Sequence, residues 1–533
     1  IDSSSNLAKI VRTDMIKYYT TDNKFIKNTK CLLKKISLEK NNTQTNTINC
    51  DEIYEEWKDL KADKDFKDRY NYIDWENTGY FGNFEVLNKN STFLQVLSVY
   101  NLSAPIIALL VPIMMLFIPF LVIQARGTEI TFSEYFNILK EVSQRHAIVK
   151  LITSFSNVSW NERFYLLVSA SIYLFSLYQN TQICLKFYKN MFTVHETLFK
   201  LCDFIELTIE KGETFLKQSR KLKSYKKFNE VLTEHLGVLE KLSKEIREIH
   251  PFCFSYEKLT DMGAVLKCFY EIHSSDEYNE SISFAFGFNG YLFNMEKVKL
   301  NILQGHMKYG TLKSGTNALQ VKNVYYPPLS EKSPEKNTIK INKDCIITGP
   351  NASGKTTLLK SVLINIILTQ QYGCGFYDSM TFSPYDHLHC YLNIPDTSGR
   401  DSLFQSESRK CKKILDKINK LGEKVRHFCL FDELYSGTNP KEAVKCGYAY
   451  LSHLSVTPNV QYMLTTHYNE ICDKFSNSSD VDVYKMLVHL KEDSSIEYTY
   501  QLKKGVNRVD GGVEVLRQLN YPHAILNKMN EID

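Results

Sequence analysis

Three hydrophobic patterns succeed one another along the chain, and each predicts a different kind of element. The first is continuous: Ala104 to Ile123 reads A-P-I-I-A-L-L-V-P-I-M-M-L-F-I-P-F-L-V-I, with no charge between Lys89 and Arg126. A helix of this length matches the hydrocarbon core of a bilayer, about 30 Å thick. Pro105, Pro112 and Pro119 recur every seven residues, which membrane helices tolerate better than soluble ones. A second run, Phe164 to Leu185, is uncharged between Arg163 and Lys186 but diluted by Ser169, Ser171, Gln179, Asn180 and Gln182. If both insert, they form a hairpin that leaves the chain's two ends on one side; the alternative is a buried helical core.

The second pattern has the helical period. From about Thr193 to His250, Leu201, Phe204, Ile205 and Ile209 share one face, and Leu232, Leu236, Leu239, Leu242 and Ile246 share another. Proline is absent until Pro251, so long paired helices suited to a lever or arm are expected. The third pattern is a series of short apolar runs of strand length: Cys345 to Ile347, His427 to Phe431 and Val460 to Thr466. Residues 251–320 read as mixed helices with loop signals at Gly287, Gly290 and Gly310, and Pro327 to Lys336 as an exposed linker. Residues 1–90 are polar, a small helical region packing Trp57, Phe66, Tyr70, Tyr72 and Trp75. The expected domains are therefore 1–90, a hydrophobic region 91–190 with candidate membrane helices 104–123 and 164–185, a helical lever or clamp at 191–320, and an α/β domain at 321–533.

Composition changes this picture little. With 533 residues the chain is too long for one core, and 43% hydrophobic and 23% charged residues exclude wholesale disorder. A net charge of +5 neither requires nor excludes nucleic acid. Thirteen scattered cysteines without a C-x-x-C pair point to reduced thiols facing a cytosol-like compartment, not to a disulfide framework or zinc site. One local cluster stands out: Lys217, Arg220, Lys221, Lys223, Lys226 and Lys227, with no acid among them. It could grip double-stranded DNA, rest on anionic lipid, or simply be a solvated helix face.

The strand at 345–347 leads into T-G-P-N-A-S-G-K-T-T, and Gly349 to Thr356 fit G-x-x-x-x-G-K-[ST]. A helix-forming stretch without Gly or Pro follows, so strand, glycine loop and helix stand in the order that a phosphate-binding loop requires. Gly349, Pro350, Asn351, Ala352, Ser353, Gly354, Lys355, Thr356 and Thr357 are the expected ATP contacts. The glycines let backbone NH groups turn inward, and the helix N-terminus adds its dipole. Lys355 would reach the β and γ phosphates and the Thr356 hydroxyl would sit on Mg²⁺. Downstream, H-F-C-L-F-D-E ends a strand in adjacent carboxylates: Asp432 is expected to hold Mg²⁺ through water and Glu433 to orient or deprotonate the attacking water. His467, at the tip of the strand at 460–466, lies where ligands bind in α/β sheets and is the expected γ-phosphate sensor.

With these motifs in view, the chain resembles the MutS family of DNA mismatch-repair ATPases. The matching segments are T-G-P-N at 348–351, D-E-L-Y-S-G-T at 432–438, T-T-H-Y at 465–468, S-G-R-D-S-L-F-Q-S-E at 398–407, and L-K-K-G-V-N-R-V-D-G-G-V-E-V-L at 502–516 followed by Tyr521 and Pro522. The resemblance is specific over about 320–533. It implies an α/β P-loop ATPase domain behind a mostly helical lever- or clamp-like region. It further implies a homodimer or heterodimer with two composite ATP sites, each completed by Ser402 of the opposite subunit, and arms whose opening around DNA follows nucleotide state. The departures are Ala352 and Ser353 in place of Met-Gly, Asp401 inserted before Ser402, and no Phe-x-Glu mismatch wedge, since neither Phe81 nor Phe84 has Glu two residues on. A membrane segment is also foreign to ordinary repair members. The rival expectations are a membrane-tethered ATPase switch without mismatch recognition and a nucleotide scaffold that does not hydrolyse. An ABC-type ATPase would need an L-S-G-G-Q-like signature, which is missing.

Overall fold

The computed structural model describes residues 5–36, 38, 48–62, 84–127, 131–143, 159–250, 256–313, 315, 318–342, 344–392, 403–476, 478–491, 496–509, 516–517 and 519–530. The helices in chain order are α1 (Asn6–Met15), α2 (Asn23–Lys35), α3 (Cys50–Ala62), α4 (Ser91–Ala125), α5 (Phe132–Ser143), α6 (Trp160–Ser219), α7 (Lys226–Arg247), α8 (Tyr256–Ser274) and α9 (Asp276–Leu303), a mostly helical N-terminal region. A C-terminal region of mixed strands and helices follows. The strands are β1 (Lys308–Tyr309), β2 (Thr311–Leu312), β3 (Leu319–Val324), β4 (Asn337–Ile341), β5 (Asp344–Thr348), β6 (Cys374–Gly375), β7 (Ser379–Phe382), β8 (His387–Tyr391), β9 (His427–Asp432), β10 (Val460–Thr466), β11 (Val481–Leu490) and β12 (Ile496–Lys504). Between and after them lie α10 (Lys355–Tyr372), α11 (Leu403–Leu421), α12 (Pro440–Ser455), α13 (Asn469–Phe475) and α14 (His523–Asn530).

Residues 1–43, 214–230 and 289–533 form one compact unit. Its centre is a six-stranded sheet in the order β12-β11-β5-β10-β9-β8, parallel except for the edge pair β11–β12. The inner strands read as unbroken apolar runs because both faces are covered. One face packs Ile347, Leu430 and Met463 against Leu358, Leu359, Val362 and Ile366 of α10, and the other packs Ile346, Phe431 and Leu464 against α11, α12 and α13. A four-stranded sheet, β2-β7-β3-β4, joins the first of these cores through Val321, Ile339 and Phe382. Near the chain's start, Tyr19 Oη donates to Asp386 O at 3.2 Å and Gln370 Nε2 donates to Thr20 O at 3.2 Å, which ties the N-terminal residues to this unit.

Two loop expectations change in the structure. Gly287 and Gly290 lie inside α9, not in loops. At Gly290 a Cβ would come within 2.8 Å of Leu7 O, so the residue serves close approach of α1. Pro327–Leu329 form a 3₁₀ turn with Pro327 buried, so this part of the expected linker is packed into the domain.

Residues 44–213 and 231–288 form the second unit, which is helical. α6 and α7 run antiparallel, and Leu201, Phe204, Ile205, Leu232, Leu236, Leu239, Leu242 and Ile246 are buried as their periodicity predicts. Arg247 joins the pair by donating to Asp203 Oδ1 and Glu206 Oε2, each at 2.7 Å. Trp57 is buried in α3, while Phe66, Tyr70, Tyr72, Trp75 and Phe81 lie outside the described residues. The apolar run 104–123 falls within α4, which continues through all three prolines, and 164–185 falls within α6.

Candidate active site

The parallel strands β5, β9 and β10 place their carboxyl ends side by side, with Thr465 opposite Asp432 and Thr466 opposite Thr348. Whatever follows each strand therefore meets at one edge of the sheet, the usual ligand position in open α/β folds. From β5 come Gly349 to Thr356, from β9 Asp432 and Glu433, and from β10 His467. Together with Tyr326, Leu329, Glu335, Met486 and Tyr500, the loop residues Asn351 to Thr357 and Glu433 line a cavity of about 420 Å³.

The glycine loop is shaped for close approach. Gly354 has φ +91° and caps the N-terminus of α10, Ala352 takes φ +64°, and a Cβ at Gly349 would lie 2.8 Å from Ser353 Oγ. Ser353 is 1% exposed, and its hydroxyl has no hydrogen-bond partner among the described residues. A buried polar atom without a partner is costly unless a ligand satisfies it. Lys355 Nζ donates to Gly349 O at 2.8 Å and Pro350 O at 3.0 Å, inside its own loop. Burial pushes the Lys355 ammonium below its ordinary pKa, opposed by the nearby Glu433 and Asp432 carboxylates.

The carboxylate pair is held from several sides. Thr356 Oγ1 donates to both Asp432 oxygens at 3.0 and 2.8 Å, and Thr465 Oγ1 donates to Asp432 Oδ1 at 2.5 Å. Thr356 and Asp432 thus offer clustered hard oxygens of the kind Mg²⁺ takes. Glu433 sits at φ +52°, its NH donating to Thr465 O at 3.0 Å, and its Oε1 lies 3.5 Å from His467 Nδ1. That hydrogen bond holds the Glu433 carboxyl below its ordinary pKa, against burial, which raises it.

Several supports carry no mark in the linear sequence. Glu407, 2% exposed, accepts from Ser436 N, Ser436 Oγ and Gly437 N at 3.1, 2.9 and 3.2 Å, and so braces the loop after Glu433. Asn507 N donates to Thr348 Oγ1 at 2.8 Å and its side chain donates to Met486 O at 2.8 Å, which fastens the closing segment beneath the glycine loop. Tyr500 reaches the loop from β12, close enough that a Cβ on Gly354 would lie 3.1 Å from its ring. Glu407 and Asn507 fall inside segments that carry the family resemblance, but nothing local identifies them as braces; Tyr500 carries no sequence signal.

Ser402 and Asp401 lie outside the described residues. None of the six basic residues lines the cavity. Lys217 lies in the last turn of α6, Lys226 and Lys227 begin α7, and Arg220, Lys221 and Lys223 lie in the turn between, all six exposed.

Residues 345–533 match the family model MutS domain V. The chain is 27% identical over 243 residues to "Endonuclease MutS2" of Staphylococcus haemolyticus, which covers 43% of this chain and 30% of that relative. It is 24% identical over 220 residues to "DNA mismatch repair protein MutS" of Persephonella marina, covering 40% and 25% respectively. It is 28% identical over 197 residues to "Endonuclease MutS2" of Halothermothrix orenii, covering 36% and 23%. The chain thus spans less than a third of the length of these relatives. Residues 345–533 are thus similar to MutS domain V, and through them this part of the chain is similar to MutS proteins.

Proposed function

We propose that the chain is an ATP hydrolase of the MutS type, working as a homodimer or heterodimer through its C-terminal domain and coupling nucleotide state to binding of double-stranded DNA. The observation that carries this reading is the meeting of Lys355, Thr356, Asp432, Glu433 and His467 at one sheet edge beside a glycine loop with an orphaned Ser353 hydroxyl. Tyr326 and Tyr500 line the same cavity and offer aromatic faces that suit a nucleobase.

In this reading Gly349 to Thr357 wrap the phosphates, and Lys355 exchanges its two loop carbonyls for phosphate oxygens. Thr356 and Asp432 would hold Mg²⁺, whose charge neutralises the β and γ oxygens. Glu433 accepts the proton of the attacking water at its carboxylate, while His467 fixes that carboxylate and faces the γ-phosphate. Ser402 of the opposite subunit completes each site, so loss of the γ-phosphate loosens the dimer and the helical arms together.

The test measures Mg²⁺-dependent ATP turnover in detergent, with and without homoduplex, mismatched duplex, four-way junction and single-stranded DNA. Turnover stimulated by one of these is expected; indifference to all of them removes the DNA role. A rival reading keeps the same nucleotide chemistry but drives a switch at a bilayer without DNA. The exposed apolar residues of α4 and α6 favour it, and it expects DNA to leave turnover unchanged.

A further inference from the structure

The long apolar helices α4 and α6 have no part in the nucleotide site. Both contribute to the helical unit, and two contacts align them. Tyr173 Oη donates to Ala108 O at 3.5 Å, and Cys184 Sγ donates to Leu102 O at 3.4 Å. Later residues of α6 thus meet earlier residues of α4, which makes the pair antiparallel. Extending this register puts Arg163 level with about residues 118–123 of α4 and Lys186 level with about residues 95–100. The uncharged stretch of one helix therefore lies against the uncharged stretch of the other. Phe164 to Leu185, 22 residues, span about 33 Å at the helical rise, close to a bilayer's hydrocarbon thickness.

The surface of this band is apolar on several sides. Ile106, Leu109 and Leu121 on α4 are 62%, 56% and 61% exposed, and Phe164, Ile172 and Leu174 on α6 are 71%, 63% and 63% exposed. Only 22% of Ser91–Leu110, the described window long and apolar enough to cross a membrane, is buried; a soluble protein's core helix would be mostly covered. A groove-binding protein partner would need one stripe per helix, whereas with Ile107, Met114, Ile118 and Val122 on α4 and Leu167, Ile183 and Leu185 on α6 the exposed apolar residues cover about half of each helix's circumference.

Four polar side chains within the band bond to carbonyls of their own helix. Ser103 Oγ donates to Val99 O at 2.6 Å, Ser171 Oγ to Leu167 O at 2.8 Å, Thr181 Oγ1 to Leu177 O at 2.8 Å and Asn180 Nδ2 to Ser176 O at 2.8 Å. Such bonding to the helix's own carbonyls is what a medium without water demands.

We propose that α4 and α6 cross a lipid bilayer as an antiparallel hairpin, with residues of about 97–120 and 164–185 in the hydrocarbon and Arg163 and Lys186 at its two borders. The proposal deepens the bilayer reading by naming the crossing segments, and it is independent of whether DNA is bound. The full chain, purified in detergent, is reconstituted into vesicles of phosphatidylcholine and phosphatidylglycerol, floated on a density gradient, and washed with high salt and then alkaline carbonate. ATP turnover is measured separately in detergent, so failure of the nucleotide site is seen apart from failure of the hairpin. Protein that floats after both washes supports the hairpin. Release by salt, release by carbonate, or monodisperse protein without detergent overturns it. A second arm compares Leu109→Lys/Ile172→Lys: loss of flotation with turnover retained in detergent agrees with the proposal, and unchanged flotation overturns it. If the variant does not fold, the washes of the unaltered chain decide.

Discussion

In the proposed hydrolysis, Glu433 is the residue on which the chemistry turns. Glu433→Gln keeps the shape but removes the acceptor for water's proton, so turnover should fall by about 100-fold or more while ATP stays bound; filter binding and single-turnover rates check both. Because the hydrogen bond with His467 depresses the Glu433 pKa from 4.5, the proposed base is ionised at neutral pH, and any acid limb it sets lies below that value. His467→Ala should move the limb upward, and a limb that stays put would take His467 out of the role assigned to it. A different histidine pair bears on stability. His389 Nε2 and His427 Nδ1 lie 3.0 Å apart, and burial, assisted by neighbouring histidines, lowers the two to about 3 and about 4. These folded values lie below the unfolded value of about 6.5, so the unfolded chain binds more protons in between. Stability should therefore be complete above about pH 6.5 and decline as pH falls towards 4. Thermal melts across that range should show the decline, and His389→Gln should flatten it.

At the scale of elements, the loop between β9 and α12 depends on a carboxylate from another helix. Removing Glu407 leaves the donors of Ser436 and Gly437 facing a cavity in a buried place. Glu407→Ala should cost about 3 kcal/mol, and Glu407→Gln, which keeps one acceptor, should cost less; denaturant midpoints of the two variants test the order. Since the same loop carries Glu433, turnover should fall in the same order. The sequence showed this segment as a family signature ending at Glu407 but could not reveal that its last residue reaches a loop 29 positions later. The glycine loop was different: its backbone demands are met within a few consecutive residues, so its identity was legible without a partner.

For the whole molecule, the basic turn at 217–227 gains neighbours that are remote in sequence. Asn28 Nδ2 donates to Ser224 Oγ at 2.8 Å, Lys35 Nζ to Gln218 O at 3.2 Å, and the rings of Phe25 and Tyr225 stack at 5.5 Å. α2 thereby brings the exposed Lys24, Lys27 and Lys34 beside the six basic residues of the turn. If this surface holds DNA phosphates, changing Lys221, Lys223, Lys226 and Lys227 to Gln should weaken binding to every duplex alike. The slope of log affinity against log salt should shrink by about 0.9 for each phosphate that is no longer neutralised, measured by fluorescence anisotropy over a salt series. An unchanged slope would leave the cluster as a solvated surface.

Local order was decided by the sequence alone: the glycine loop between strand and helix, the strand ending at Asp432, the period of α6 and α7, and an uncharged run long enough for a bilayer. Each of these depends on spacing within one segment, where sterics and hydrophobic period act over a few residues. Tertiary structure decided what those segments meet. Parallel pairing of β5, β9 and β10 brought Thr356, Asp432 and His467 to one edge; Glu407, Tyr500 and Asn507 became supports because folding carried them across the chain; and the register of α4 on α6 set two uncharged stretches side by side. Such contacts follow from the packing of whole faces, whose free energy is shared among many residues and leaves no mark on any single short stretch.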